Sequence, residues 1–178
     1  MKSIITMALV CTTLTAFAQS KEDKRVMADA DKAMAKMQKM DVGLAQFFDN
    51  SSGYVIFPNV GEGGFIIGAA SGNGVLYENG QAVGMADLKK VDVGLQIGGQ
   101  EVAEVIFFET EDALNEFKQG EYEFSAEASA VALEKGKSVN ANYEDGVIVL
   151  VKPKKGLMAD LSVGGQKFDY TPMEIMEE

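Results

Sequence analysis

The chain has 178 residues, 47% of them apolar, and a formal net charge of -11 at pH 7, figures suited to one domain with a real core. That acidity argues against a nucleic-acid partner, which would need a basic surface for phosphates. With no His in the sequence, the commonest general base and metal ligand are missing, and neither Ser-His-Asp nor Cys-His arrangements can be built.

Residues 1–20 read "MKSIITMALVCTTLTAFAQS". Lys2, an apolar stretch from Ile4 to Leu14 and the small-x-small run Ala16-Phe17-Ala18 predict a signal peptide over 1–18, cleaved after Ala18. The apolar run is well short of the ~20 residues of a membrane span. The expected product is exported, periplasmic or extracellular, and soluble after cleavage, with a single domain over 19–178. Cys11 is the one cysteine, so that domain would form neither a disulfide nor a thiolate metal site.

From Lys21 the apolar residues Val26, Ala30, Ala33, Met34, Met37, Met40, Leu44, Phe47 and Phe48 recur at gaps of three and four, which predicts a long amphipathic helix over 22–48. Lys24, Arg25, Lys32, Lys36 and Lys39 lie off that stripe. Across 21–41 six basic residues face five acidic ones, so this is the least acidic part of the chain. Two readings are open: a helix lying on a membrane with Met and Phe dipping into lipid, or one packing its stripe on the domain.

Beyond residue 52 short runs are divided by glycine. "GYVIFPNV" reads as a strand, with Pro58 marking an edge or end. "VLYENGQAVG" reads as a hairpin about Asn79-Gly80. "KVDVGLQIGG" alternates, with Lys90 and Asp92 opposite Val91 and Val93. "EVIFFE" reads as a buried central strand. "TEDALNEFKQG" reads as a helix capped by Thr110 and stopped by Gly120. "GVIVLVKP" and "GLMADLSVGG" suggest two more strands about a turn at 153–156, and "FSAEASAVALEKG" fits helix or strand. The expected fold is α+β: a long N-terminal amphipathic helix packed on a mainly antiparallel, strongly curved or barrel-like sheet, with at least one further helix.

The stretch "VGEGGFIIGAASGNGVLYENG" is dense in glycine, and ordering glycine costs backbone entropy. Gly63 and Gly68 have the phosphate-loop gap, but Ala69 and Ala70 follow instead of Lys and Ser/Thr, and the dinucleotide fingerprint is also absent. As a strand, its alternate residues include Gly64, Gly68, Gly72 and Gly74, one nearly bare face that allows close approach. A helix or a bent sheet would fill that face, or an acyl chain or other apolar ligand would.

Carboxylates are plentiful, yet Glu111 and Asp112 suit a helix start, and Glu101 and Glu104 read as solvated strand-end residues. No calcium-loop pattern is present. The chain is read as a non-enzyme needing no metal and no cofactor.

The successive blocks "FPNVGEGGFIIGAASGNGVLYENG", "VGLQIGGQEVAEVIFFETEDALNEF", "FSAEASAVALEKG" and "KGLMADLSVGGQKFDY" resemble, in order, those of the SYLF domain family over about residues 22–170. The resemblance implies a lipid-binding domain whose N-terminal amphipathic helix takes part, and carries Lys24, Arg25, Lys32, Lys36 and Lys39 over as lipid-binding residues. An acidic body repels anionic headgroups over about a Debye length, so binding would run through those helix cations or the apolar part of a lipid. The expected function is thus a non-catalytic exported domain associating with lipid or a membrane surface. The alternative is a periplasmic or cell-surface structural protein holding a protein partner through its sheet edge or glycine face.

Overall fold

A computed structural model describes residues 21–61, 69–91, 102–120, 122–124, 130–134, 138, 141–153 and 163–173. The expected signal peptide, Gly64, Gly68 and the alternating stretch 92–99 lie outside the described residues.

Helix α1 (Lys21–Met40) is followed by a 3₁₀ turn (Val42–Leu44) and α2 (Ala45–Asn50). The single helix expected over 22–48 is therefore interrupted. Asp41 adopts an extended backbone, and its Oδ1 accepts the Gly43 N–H at 2.9 Å. Such a local side-chain bond competes with continued helix. Its Oδ2 accepts the Ser138 N–H at 2.8 Å, so the buried Asp41 also ties the helix end to a segment far along the chain.

The strands are β1 (Gly53–Val60), β2 (Ala69–Glu78), β3 (Gln81–Val91), β4 (Val102–Phe108), β5 (Val131–Ala132), β6 (Val147–Pro153) and β7 (Gln166–Pro172). They form one sheet in the order β5-β6-β4-β1-β2-β3-β7. All pairings are antiparallel except β5 with β6. The β2–β3 hairpin turns at Asn79 and Gly80, with φ of 50° and 76°, the left-handed pair that matches strand twist. The fold is α+β with a mostly antiparallel sheet, but the strongly curved, barrel-like form expected is corrected to an open one. Edges β5 and β7 stay separate, and among the described residues no ladder joins them. Closure needs two edges of useful length, and β5 has two residues.

β1 and β4 are apolar on both faces, so both faces need a cover. On one, Val55, Phe57, Leu76, Leu88, Ile106, Phe108 and Phe168 meet Ala113, Leu114 and Phe117 of α3 (Glu111–Lys118). Thr110 caps α3 by accepting the Ala113 N–H at 3.2 Å, and Gly120 ends it at φ 70°. On the other face, Val26, Ala30, Ala33 and Met37 of α1 meet Tyr54, Ile56, Val75, Tyr77, Val105, Phe107 and Leu150. Tyr54 and Tyr77 stack at 5.2 Å, and the Tyr77 hydroxyl donates to Asp31 Oδ1 at 2.9 Å. Burial, and then Asp31, raise both phenols above their ordinary value.

Two strand expectations change. Residues 156–162 of "GLMADLSVGG" lie outside the described residues, and 163–165 lead through a turn into β7, which the sequence reading passed over. The ambiguous "FSAEASAVALEKG" contributes the short strand β5, with 125–129 and 135–136 outside the described residues.

Gly74 sits against β1: a Cβ there would lie 2.5 Å from Phe57 Cδ1 and 2.8 Å from the Ile56 carbonyl. Gly74→Ala is expected to cost about 1–3 kcal/mol through overpacking, read as a lower urea midpoint at unchanged slope. Tyr77→Phe keeps the ring stack and removes the hydroxyl bond to α1. It is expected to cost about 1 kcal/mol in the same measurement.

Candidate functional site

The docking of α1 decides which residues it can offer to a ligand. Its apolar stripe is in the core, so of the two readings open for the stripe the packed one is observed. Lys24, Arg25, Lys32, Lys36 and Lys39 are all exposed. Two are paired along the helix, Arg25 with Glu22 at 3.4 Å and Lys32 with Asp29 at 3.1 Å, contacts of little energetic weight at this exposure.

A groove of about 400 Å³ runs between this flank of α1 and the sheet. Asp29, Lys32, Ala33 and Lys36 line it from the helix, Pro58 and Asn59 from β1, Ala103 from β4 and Lys152 from β6. The β1 side is shaped by an irregularity: its register with β4 shifts between Phe57 and Val60, around a proline that has no N–H to give the ladder. Ala103 is paired with Lys152, and its small side chain leaves room beside the lysine. Three ammonium groups thus meet one carboxylate in a chain whose overall charge is strongly negative. A second groove, about 420 Å³, shares Asp29, Pro58 and Asn59 and continues to Glu22 and Arg25. It has two carboxylates against one guanidinium, so the cationic end is the one at Lys32, Lys36 and Lys152.

Of the five helix cations carried over from the sequence, Lys32 and Lys36 line the first groove and Arg25 the second, while Lys24 and Lys39 line neither. Lys152 was missed. Its only sequence signal is a charge ending the apolar run "GVIVLV", and strand pairing is what sets it beside α1. Gly72 and Gly74 approach β1 closely: a Cβ on Gly72 would lie 2.8 Å from the Asn59 carbonyl. The space beside Gly74 is filled by Phe57.

A third hollow, about 530 Å³, lies at the other end of the helical layer, lined by Gln46, Phe47, Asn50, Glu109, Ala141, Asn142 and Tyr143. It has no cation, and burial, with Glu109 adding to it, pushes the Tyr143 phenol up to about 12. Glu104, expected at a solvated strand end, is 1% exposed. Its strand is central and its side chain points to the α3 side. Among the described residues no cluster of three or more acidic or thiol groups could hold a metal ion, and no helix is long and apolar enough to cross a membrane.

Residues 89–172 match the family described as "Ysc84: Las17-binding protein actin regulator". The chain is also similar to "Beta cell expansion factor A" of Aeromonas veronii, 26% identical over 141 residues, which is 78% of this chain and 53% of that protein. The chain therefore spans about half the length of that relative. The ordered sequence blocks and the match over residues 89–172 agree in pointing to the Ysc84/SYLF domain family.

Proposed function

We propose that this protein is a non-catalytic, exported domain that associates with lipid at a membrane surface, and that the groove between α1 and the sheet receives the anionic part of the lipid. The observation that carries this reading is the meeting of Lys32 and Lys36 with Lys152 from a different element. A flexible surface lysine is common; three around one concavity in a chain of net charge -11 mark a local reversal of field. The acidic remainder repels an anionic surface beyond about a Debye length, so contact would be confined to this patch and fall steeply with salt. Lys24, Arg25 and Lys39 extend the basic flank and would add attraction without lining the cationic end. Lipid binding as a general family property supports the same direction.

A second reading, a protein partner held at the sheet edge, has one observation in its favour: among the described residues β7 has a full-length ladder only with β3, its other side meeting a single bridge between Glu123 and Lys167. Extended peptides add to such edges.

Flotation of residues 19–178 with neutral and anionic vesicles separates the two. Binding is expected to anionic vesicles at low salt and to be lost at moderate salt. Each lysine near an anionic surface contributes roughly 1 kcal/mol, so neutralising Lys32, Lys36 and Lys152 to Gln together is expected to weaken binding on the order of a hundredfold. The same change at Lys24 and Lys39 should weaken it far less. No binding to either vesicle would overturn the lipid reading and favour the edge.

A further inference from the structure

The α3-side core contains a polar cluster that the groove does not use. Glu104 of β4, Gln166 of β7 and Lys90 of β3 are 1%, 3% and 2% exposed. Three strands, β1, β2 and β3, separate β4 from β7 in the sheet, yet Gln166 Nε2 donates to Glu104 Oε2 at 3.2 Å. The two long side chains meet on the α3 face of the sheet. Gln166 is fixed from its backbone, which donates to the Val163 carbonyl and accepts from the Phe124 N–H, both at 3.2 Å.

The hydrogen-bond inventory of this pair is unbalanced. Glu104 Oε1 and Gln166 Oε1 are both buried and neither receives a hydrogen bond. Both are acceptors when the carboxyl is ionised, so they cannot satisfy each other. One proton on Glu104 Oε1 resolves both at once. The acid O–H would donate to the amide oxygen while the amide N–H already donates to Glu104 Oε2, closing a ring of two hydrogen bonds. Leaving buried acceptors unmade is costly, and a buried carboxylate more so.

We propose that Glu104 carries a proton held between its Oε1 and Gln166 Oε1, so that the pair is a proton-dependent clasp joining central strand β4 to edge strand β7. Lys90 is the charged group acting on Glu104 among the described residues, and it favours ionisation, as does the amide bond. Burial outweighs both and pushes the carboxyl up to about 7. The nearby phenols of Tyr122 and Tyr170 are themselves raised by burial and stay neutral in this range. Because the folded-state value lies above the unfolded one, the clasp's stabilisation is full below the ordinary carboxylate value of 4.5 and is lost as pH rises through about 7.

Glu104→Gln tests this, since a glutamine there offers the same ring of two hydrogen bonds with no titrating group. Chemical unfolding of the native chain and of E104Q is compared from pH 4.5 to 9. The native chain is expected to lose stability relative to E104Q by about tenfold in the folding constant per pH unit, levelling off near neutrality. Amide exchange at Phe168 and Tyr170, corrected for intrinsic rate, should quicken at high pH in the native chain only. The ¹³C shift of the Glu104 carboxyl in the native chain is an independent readout, needed if E104Q does not fold, and should show a midpoint near 7. A midpoint near the ordinary carboxylate value, or parallel stability profiles for the two proteins, would overturn the proposal.

Discussion

The sheet has two apolar faces at its centre, and that constraint organises everything around it. β1 and β4 present aromatic and branched residues to both sides, so neither face can be left to water: a buried aromatic or aliphatic side chain is worth about 1.5–3 kcal/mol relative to exposure. The chain meets this with unequal covers. The eight residues of α3, with Phe124 and Phe168, close one face, and the twenty residues of α1 close the other. Small side chains at Ala30 and Ala33 let α1 come close to the sheet, and the stacked Tyr54 and Tyr77 give it a flat aromatic floor with one hydroxyl reaching up to Asp31.

The groove follows from that packing. A straight helix laid on a twisted sheet diverges from the strands along one flank, and the flank here is where β1 loses its register and contributes a proline. The residues exposed there by the helix are mainly basic. Once α1 is fixed by its buried stripe, Lys32 and Lys36 are held beside Lys152, and the only cost of assembling the patch is mutual repulsion, eased by Asp29. An arrangement that kept the stripe for lipid would have to uncover Tyr54, Ile56 and Phe107. For this reason a docked helix using its polar flank is the physically cheaper way for this chain to meet an anionic surface.

The polar cluster on the opposite face sits within the apolar core that α3 covers. Buried ionisable groups are weak contributors to stability, and Glu104 is tolerable chiefly because Gln166 lies within hydrogen-bonding reach. Its location matters: it bridges the centre of the sheet to the edge strand farthest from it, where no backbone ladder can make the link.

Much of this was legible in the sequence. The stripe at gaps of three and four determined α1 and its buried face, Asn79-Gly80 determined the central hairpin, Thr110 and Gly120 bounded α3, and "EVIFFE" announced a central strand, because each depends on neighbours within a few residues. The helix break at Asp41 was less legible, since it depends partly on a carboxylate that also serves Ser138. The helix cations were visible as a set, but which of them share a concavity was not. Lys152 joins Lys32 and Lys36 only through the β4–β6 register, and Glu104 is buried because β4 lies inside the sheet, third from the β5 edge, with Gln166 of β7 against its side chain. Periodicity and turn chemistry are local and are written in the chain. Strand order and register are settled by contacts between residues distant in sequence, so only the tertiary structure decided which charges meet in the groove and which are sealed in the core.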